Sequence, residues 1–318
     1  MKIVDFEEVK KAAENMNPAV WYDWVDDALR NKSAFVCPPK PIMSQSDGDY
    51  FNVMPAMYEK EDVAMVKMIG RHASIKKDEP RSVMMGDMLV YEASSGILKS
   101  VMDAEYITTL RTGAVAAHSV IQFARKDFST VGLIGLGNIM VVFFKTLLAK
   151  IGNREITVKL YRYHDQEKRF AKKFEWAKNV TFEFCDDYES VIKGSDVVVS
   201  AVTKITKNFA SDEFFKEGVT IVPICTMGFQ NCDLFFDKVF TDEIEQIRGF
   251  KHFDKFRSLA NVTDVLNGIK AGRTNDDERI LVYNYGIAIH DLYFAMQLSK
   301  VADGKEVDYQ YCKEKFFI

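Results

Sequence analysis

No stretch of this sequence is long and apolar enough to be read as a membrane span, for which a run of about 18 apolar residues is needed. Met1–Val9 alternates charged and apolar residues and lacks the basic and apolar regions of a signal peptide. Cysteine is scarce and odd in number. Cys37, Cys185, Cys225, Cys232 and Cys312 contain no CxxC pair, which argues against a disulfide framework or a zinc knuckle. His72, His118, His164, His252 and His290 are scattered, with no two at metal-ligand spacing, so no metal is expected. Basic residues are not in excess: Lys and Arg number 42 against 46 Asp and Glu, a net charge of −4. A nucleic-acid binder more often carries a basic face, so neither nucleic acid nor membrane is an expected partner. An anionic ligand must then be caught by local cations. Repeats and low-complexity tracts are also missing. A cytoplasmic globular protein is the simplest reading, and 318 residues suit two domains.

The chain changes rhythm twice. Up to about residue 125 a helix-like stretch, Pro18–Asn31, precedes short alternating segments at Tyr50–Met54, Val63–Ile69 and Met88–Glu92. Turn signals at Asp47-Gly48-Asp49, Lys77–Pro80 and Ser94-Ser95-Gly96 separate them, which predicts a meandering, mostly antiparallel sheet. A helix is expected over Asp103–Arg125, where apolar residues recur at helical spacing. After Asp127, strands alternate with helices: Thr130–Gly135, Ile156–Tyr161, Val180–Phe184, Asp196–Val202, Val219–Ile224 and Lys238–Thr241 are the strands. Their continuous Val and Ile content predicts a parallel, doubly wound sheet buried on both faces. From about Asp276 the rhythm shifts again, and Arg279–Leu298 reads as one amphipathic helix returning to the first domain. The fold class is therefore α/β: a Rossmann doubly wound parallel sheet, residues 127–275, inserted into a second α+β domain, residues 1–126 plus 276–318.

The segment Thr130–Met140, TVGLIGLGNIM, puts Gly135-x-Gly137 straight after a strand and before a helix that opens with Asn138 and Ile139. Glycines let the backbone approach a pyrophosphate, and the helix N-terminus offers its free N–H groups. This context points to a dinucleotide. Met140 stands where a third glycine is usual. Cofactor choice is read at the end of the second strand, Leu160–Asp165, LYRYHD. Arg162 sits where an acid would hold the ribose of NAD, with Lys168 and Arg169 one turn on, which favours NADPH over NADH. Asp165 leaves NAD open if the strand ends later.

The stretch Asp103–Ala117, DAEYITTLRTGAVAA, leading into a strand and GxG, resembles the ornithine cyclodeaminase/mu-crystallin family. Val53-Met54-Pro55-Ala56 followed by Lys67 is similar to that family's MPA segment and lysine. So are Gly272-Arg273 before Asp276–Leu281, and Gly286 with Asp291 on the expected last helix. The resemblance covers about residues 15–300. It implies the split fold, with the outer domain binding substrate and forming a homodimer. It also implies that Arg111 binds a substrate carboxylate, where a guanidinium fork matches two oxygens. Lys67 would bind the same group or move a proton, and Lys40 would take a second carboxylate-binding place. Thr108 and Thr112 would face the cofactor, and Thr203 the nicotinamide side.

The chain also departs from that pattern. Met227 stands where cyclodeaminases carry an aspartate, Asn52 where they carry an acid for the side-chain amine of ornithine, and Met85 where a polar residue is usual. Methionine cannot transfer protons, so loss of ammonia from ornithine is disfavoured. Met85, Met227 and Phe229 hint at a non-basic substrate side chain. The expectation is an NAD(P)H-dependent oxidoreductase on the C–N bond of a small amino or imino acid. A lyase with recycled NAD and a non-catalytic NADPH-binding protein are the alternatives.

Overall fold

A computed structural model describes the chain except residues 47, 73–82, 204, 225–226, 231–233, 313 and 315–318. The expected turn at Lys77–Pro80, Asp47 of the earlier turn, Cys225 and Cys232 lie outside the described residues. The strands in chain order are β1 (Lys2–Val4), β2 (Phe35–Val36), β3 (Ile42–Ser44), β4 (Tyr50–Tyr58), β5 (Val63–Arg71), β6 (Met84–Glu92), β7 (Leu98–Asp103) and β8 (Thr130–Ile134). There follow β9 (Ile156–Tyr161), β10 (Val180–Cys185), β11 (Val197–Ser200), β12 (Thr220–Pro223), β13 (Lys238–Thr241), β14 (Leu259–Asn261), β15 (Ile280–Tyr283) and β16 (Lys305–Glu306). The helices are α1 (Phe6–Glu14), α2 (Ala19–Arg30), α3 (Glu105–Phe123), α4 (Asn138–Ile151), α5 (Gln166–Lys173), α6 (Tyr188–Ile192), α7 (Ile244–Ile247), α8 (Val262–Leu266) and α9 (Ala288–Ser299).

The chain forms two compact units, the first of residues 1–16, 33–108 and 288–318, the second of residues 17–32 and 109–287. Packing draws this boundary elsewhere than the change of rhythm did. Residues 17–32, 109–126 and 276–287 pack with the parallel sheet. α2 contacts α4 and α8, and Arg30 donates to the Leu266 carbonyl at 2.6 Å.

In the first unit the strand order is β16-β1-β7-β6-β5-β4-β2, with β3 also on β4. β4 to β7 form the expected antiparallel meander, and β1 joins it parallel to β7. Alternation decides the faces. Met54, Ala56, Tyr58, Met65, Lys67, Ile69, Met88 and Val90 are buried, and α9 packs against β4 and β5. The opposite face carries Val53, Pro55, Met57, Val66, Met68 and Met85, none of them fully buried. Met85 therefore lies on the other face of the sheet from Lys67, which overturns its expected place in a pocket wall.

The second unit is an eight-stranded, wholly parallel sheet in the order β10-β9-β8-β11-β12-β15-β13-β14. All four residues of β11, of β12 and of β15 are buried, as expected for a sheet covered on both sides. β15 corrects the reading of Arg279–Leu298 as one helix. Ile280–Tyr283 is a β-branched and aromatic run that enters the sheet between β12 and β13. Gly286, at φ +87°, then ends the segment, and α9 starts only at Ala288. Gly286 thus precedes the helix that carries Asp291. Phe229 is also corrected: it is fully buried in this unit's aromatic core, 5.0 Å from Phe209 between ring centroids.

Candidate functional site

The glycine turn sits where the order of the parallel strands reverses, since β8 lies between β9 and β11. Ligands of open α/β sheets bind in the crevice at such a point. Gly135 has φ +84°, and a Cβ there would fall 2.7 Å from the Ala201 carbonyl carbon, so only glycine lets β8 turn against the end of β11. Gly137 differs: a Cβ built on it meets nothing within 4 Å. It caps α4 without a side-chain hydrogen bond. Asn138 and Ile139 form the first turn of α4. A cleft of about 370 Å³ opens here, lined by Gly135, Gly137, Tyr161, Tyr163, Tyr188 and Thr203 among others. The tyrosines went unnoticed in the sequence. Tyr161 and Tyr188 have ring centroids 4.3 Å apart, and their place at the ends of β9 and α6 was the available signal.

Met140, in the third-glycine position, is fully buried. Close packing at this helix is supplied instead by Gly113 on α3. A Cβ at Gly113 would lie 2.6 Å from the Phe143 backbone nitrogen and 2.7 Å from the Ile139 carbonyl oxygen. The glycine inside the LRTGA run therefore sets how near α3 comes to the first turns of α4. It is flanked by Thr112, half-buried, and follows Arg111 by two residues.

Arg111 is 8% exposed. Its guanidinium lies against the backbone of Gly286, where a Cβ would sit 3.0 Å from Nη1 and 3.4 Å from Nη2. That backbone is held from beneath. The Asp242 carboxylate, just past β13, accepts from the Gly286 N–H at 2.6 Å and the Tyr285 N–H at 3.2 Å. Asp242, missed in the sequence, had only its place at a parallel-strand end as a signal.

In the first unit, Lys67 in mid-β5 is fully buried. Its Nζ lies 2.8 Å from Asp291 Oδ1, itself fully buried on α9, and donates to Thr108 Oγ1 at 3.3 Å. Asp291 supplies the countercharge that a desolvated ammonium needs. Asn52 shares this inner face of the sheet, and its Oδ1 is buried with no hydrogen bond among the described residues. Its neutral carboxamide cannot neutralise an ammonium. Lys40 is half-buried in the connection before β3.

Arg162 follows β9 directly and is exposed; its Nη1 is 3.0 Å from Asp186 Oδ1. Asp165 is paired with Lys168 at 2.7 Å. Met227 is 46% exposed beyond β12.

Among known proteins, the alanine dehydrogenase of Archaeoglobus fulgidus is 27% identical to this chain over 301 residues, 88% of each. A solved structure described as an archaeal alanine dehydrogenase dimer with bound NAD superposes with a TM-score of 0.85 at 22% identity, covering 98% of this chain and 99% of that one. The Thermococcus litoralis Δ1-pyrroline-2-carboxylate reductase, solved with NADH and L-proline, gives 0.85 at 18% identity over 96% of this chain and 100% of that one. The sequence pattern of a single family matches residues 4–306, and by that match the chain belongs to the ornithine cyclodeaminase/mu-crystallin family.

Proposed function

We propose that this protein is an NAD(P)H-dependent oxidoreductase acting on the C–N bond of a small amino or imino acid. The observation that carries the reading is the glycine turn at the head of α4, closed to a side chain at Gly135 and open to a ligand at Gly137, in a chain of this family. The relatives support the reaction class: one is an alanine dehydrogenase, another a reductase solved with NADH and L-proline.

The residues present fit a dinucleotide. Gly135, Gly137, Asn138 and Ile139 would hold the pyrophosphate with backbone N–H groups, and Thr108, Thr112 and Thr203 complete the nucleotide side. Arg162 would receive the extra phosphate of NADPH. A bound nicotinamide supplies the hydride. The chain does the rest by positioning. Arg111 binds the substrate carboxylate with its fork, held in place by the Gly286 backbone that Asp242 fixes. Net reduction of C=N adds a hydride at carbon and a proton at nitrogen. Lys67, an ammonium beside Asp291, donates that proton, and Lys40 adds positive charge for the carboxylate. The first unit binds substrate and pairs two copies through its outer sheet face. Val36, Pro38, Pro55, Met57, Ala64 and Val66 line an apolar groove there of about 290 Å³, a face that association would cover. A cytoplasmic location belongs to the same proposal.

The test is a cofactor-oxidation screen with cyclic imino acids, and with keto acids plus ammonia or amines. Consumption of reduced cofactor with one of these carboxylates is expected. Ammonia and proline from ornithine at an ordinary enzymatic rate, without net cofactor turnover, would overturn the reaction class. Tight cofactor binding with no turnover across the whole set would leave a binding protein instead.

A further inference from the structure

Past Tyr161 and Tyr188 the nucleotide cleft meets a second hollow of about 900 Å³, which shares those two rings. Its lining is acidic, with Asp186, Glu189, Asp212 and Glu213 against Lys207. β9 and β10 run parallel and end in register, Tyr161 opposite Cys185. The Arg162 N–H donates to the Cys185 carbonyl at 2.9 Å. The residues that follow the two strands, Arg162 and Asp186, are thereby set side by side. Their side chains meet at 3.0 Å, and the guanidinium stands 5.9 Å from the Phe184 ring centroid. The next cation along, Lys168, carries Asp165 at 2.7 Å.

The place after the second strand of such a sheet reads the adenosine ribose. An acid there accepts from the 2′-hydroxyl of NADH; an arginine there receives the 2′-phosphate of NADPH. This chain sets an arginine at that place and joins it to an acid at the end of the neighbouring strand, β10. We propose that Asp186 sets the balance between the two cofactors: it neutralises Arg162, opposing a 2′-phosphate, and offers its remaining carboxylate oxygen to a free hydroxyl. The pair is 51% and 80% exposed, so a phosphate dianion can displace the carboxylate, and the bias against NADPH is moderate and removable. The inference rests on the dinucleotide reading of the cleft.

The test measures dissociation constants for NADH and NADPH on the full chain by nicotinamide fluorescence, which needs no substrate. Asp186→Asn is expected to tighten NADPH about fivefold, the size expected for removing one exposed countercharge, and to leave NADH unchanged or weaker. Arg162→Ala should weaken NADPH and cancel the gain in the double variant. Both side chains are exposed, so the fold tolerates either change. If Asp186→Asn moves both cofactors alike, or moves neither, the inference is overturned while the cofactor site stands. If the unaltered chain and every variant bind neither cofactor, the dinucleotide reading itself falls.

Discussion

On the parallel sheet, buried carboxylates stand at strand ends and hold backbone. Asp196 accepts from the Ser129 N–H at 2.8 Å and the Thr130 N–H at 2.9 Å, and Asp242 holds Tyr285 and Gly286 in the same way. Burial works against ionisation of Asp196, yet Lys216 and those two N–H groups keep its carboxyl below the usual range. On the meander sheet the buried charge is in mid-strand, where Lys67 reaches the side chains of Asp291 and Thr108. A carboxylate on backbone N–H groups secures a loop. A lysine and an aspartate buried against each other secure little, because well-packed apolar residues would be at least as stable there. The difference separates charge that shapes the fold from charge available for the proposed chemistry.

The sharpest way to break that comparison is to strip Lys67 of its partner. Asp291→Ala leaves a buried ammonium without this countercharge and is expected to cost about 3–5 kcal/mol in urea unfolding. Lys67→Met combined with Asp291→Ala should recover most of it while lacking turnover. A single-variant cost below about 1 kcal/mol, a surface-pair value, would show that water reaches the pair.

Arg111 asks the same question of the second unit. As a substrate ligand, its replacement by Ala should lower kcat/KM roughly 30-fold or more, with cofactor affinity unchanged and Lys restoring only part. Were Arg111 a holder of backbone, as Asp196 is, the variant would instead lose thermal stability and keep the kcat/KM of its folded fraction.

The smallest effect compares two carboxyls. In Glu278 burial is outweighed by hydrogen bonds from Lys238 and Thr274, which hold the carboxyl at about 2. Its stabilisation is full above the ordinary 4.5 and is lost as pH falls towards 2. In Asp103, which caps α3 by accepting from the Tyr106 N–H at 2.7 Å, burial dominates and the carboxyl rises to about 6. The fold then holds that proton more tightly than the open chain does, so stability falls as pH rises from 3.8 to 6. Asp103→Asn keeps the cap. Above pH 6 it should be more stable than the parent by about 1 kcal/mol after allowing for solvent screening, with the gap closing near pH 4. A gap independent of pH would place its cause elsewhere.

Much of this was legible in the residues. Alternation gave the meander, two-sided apolar runs gave the parallel sheet, and the strand-to-helix context of Gly135-x-Gly137 located the cleft. What escaped was decided by contacts distant in sequence. Ile280–Tyr283 has the composition of a strand, but four residues before a helix look like its first turn until two neighbouring strands claim them. α2 joins the parallel-sheet unit because its apolar face meets α4 and α8, which no local pattern records. Among the residues proposed for function, Lys67 and Arg111 carried a signal through their motif. Asp242 and Gly113 act on backbone, and a residue whose role is to hold or admit another segment is silent until that segment is in place.

The first unit is closed by the two ends of the described chain. Lys2 of β1 is opposite Glu306 of β16, and α9 lies on the face that bears Lys67. A ribosome delivers β4 to β7 long before Ala288–Ser299. Until then the meander presents apolar residues on both faces and an ammonium without its aspartate. Synthesis therefore passes through an interval in which the parallel-sheet unit is also unfinished, since β15 is still to come. Pairings this remote in sequence fold slowly and leave sticky surface exposed. The nascent chain should therefore be prone to aggregate until its last segment is made.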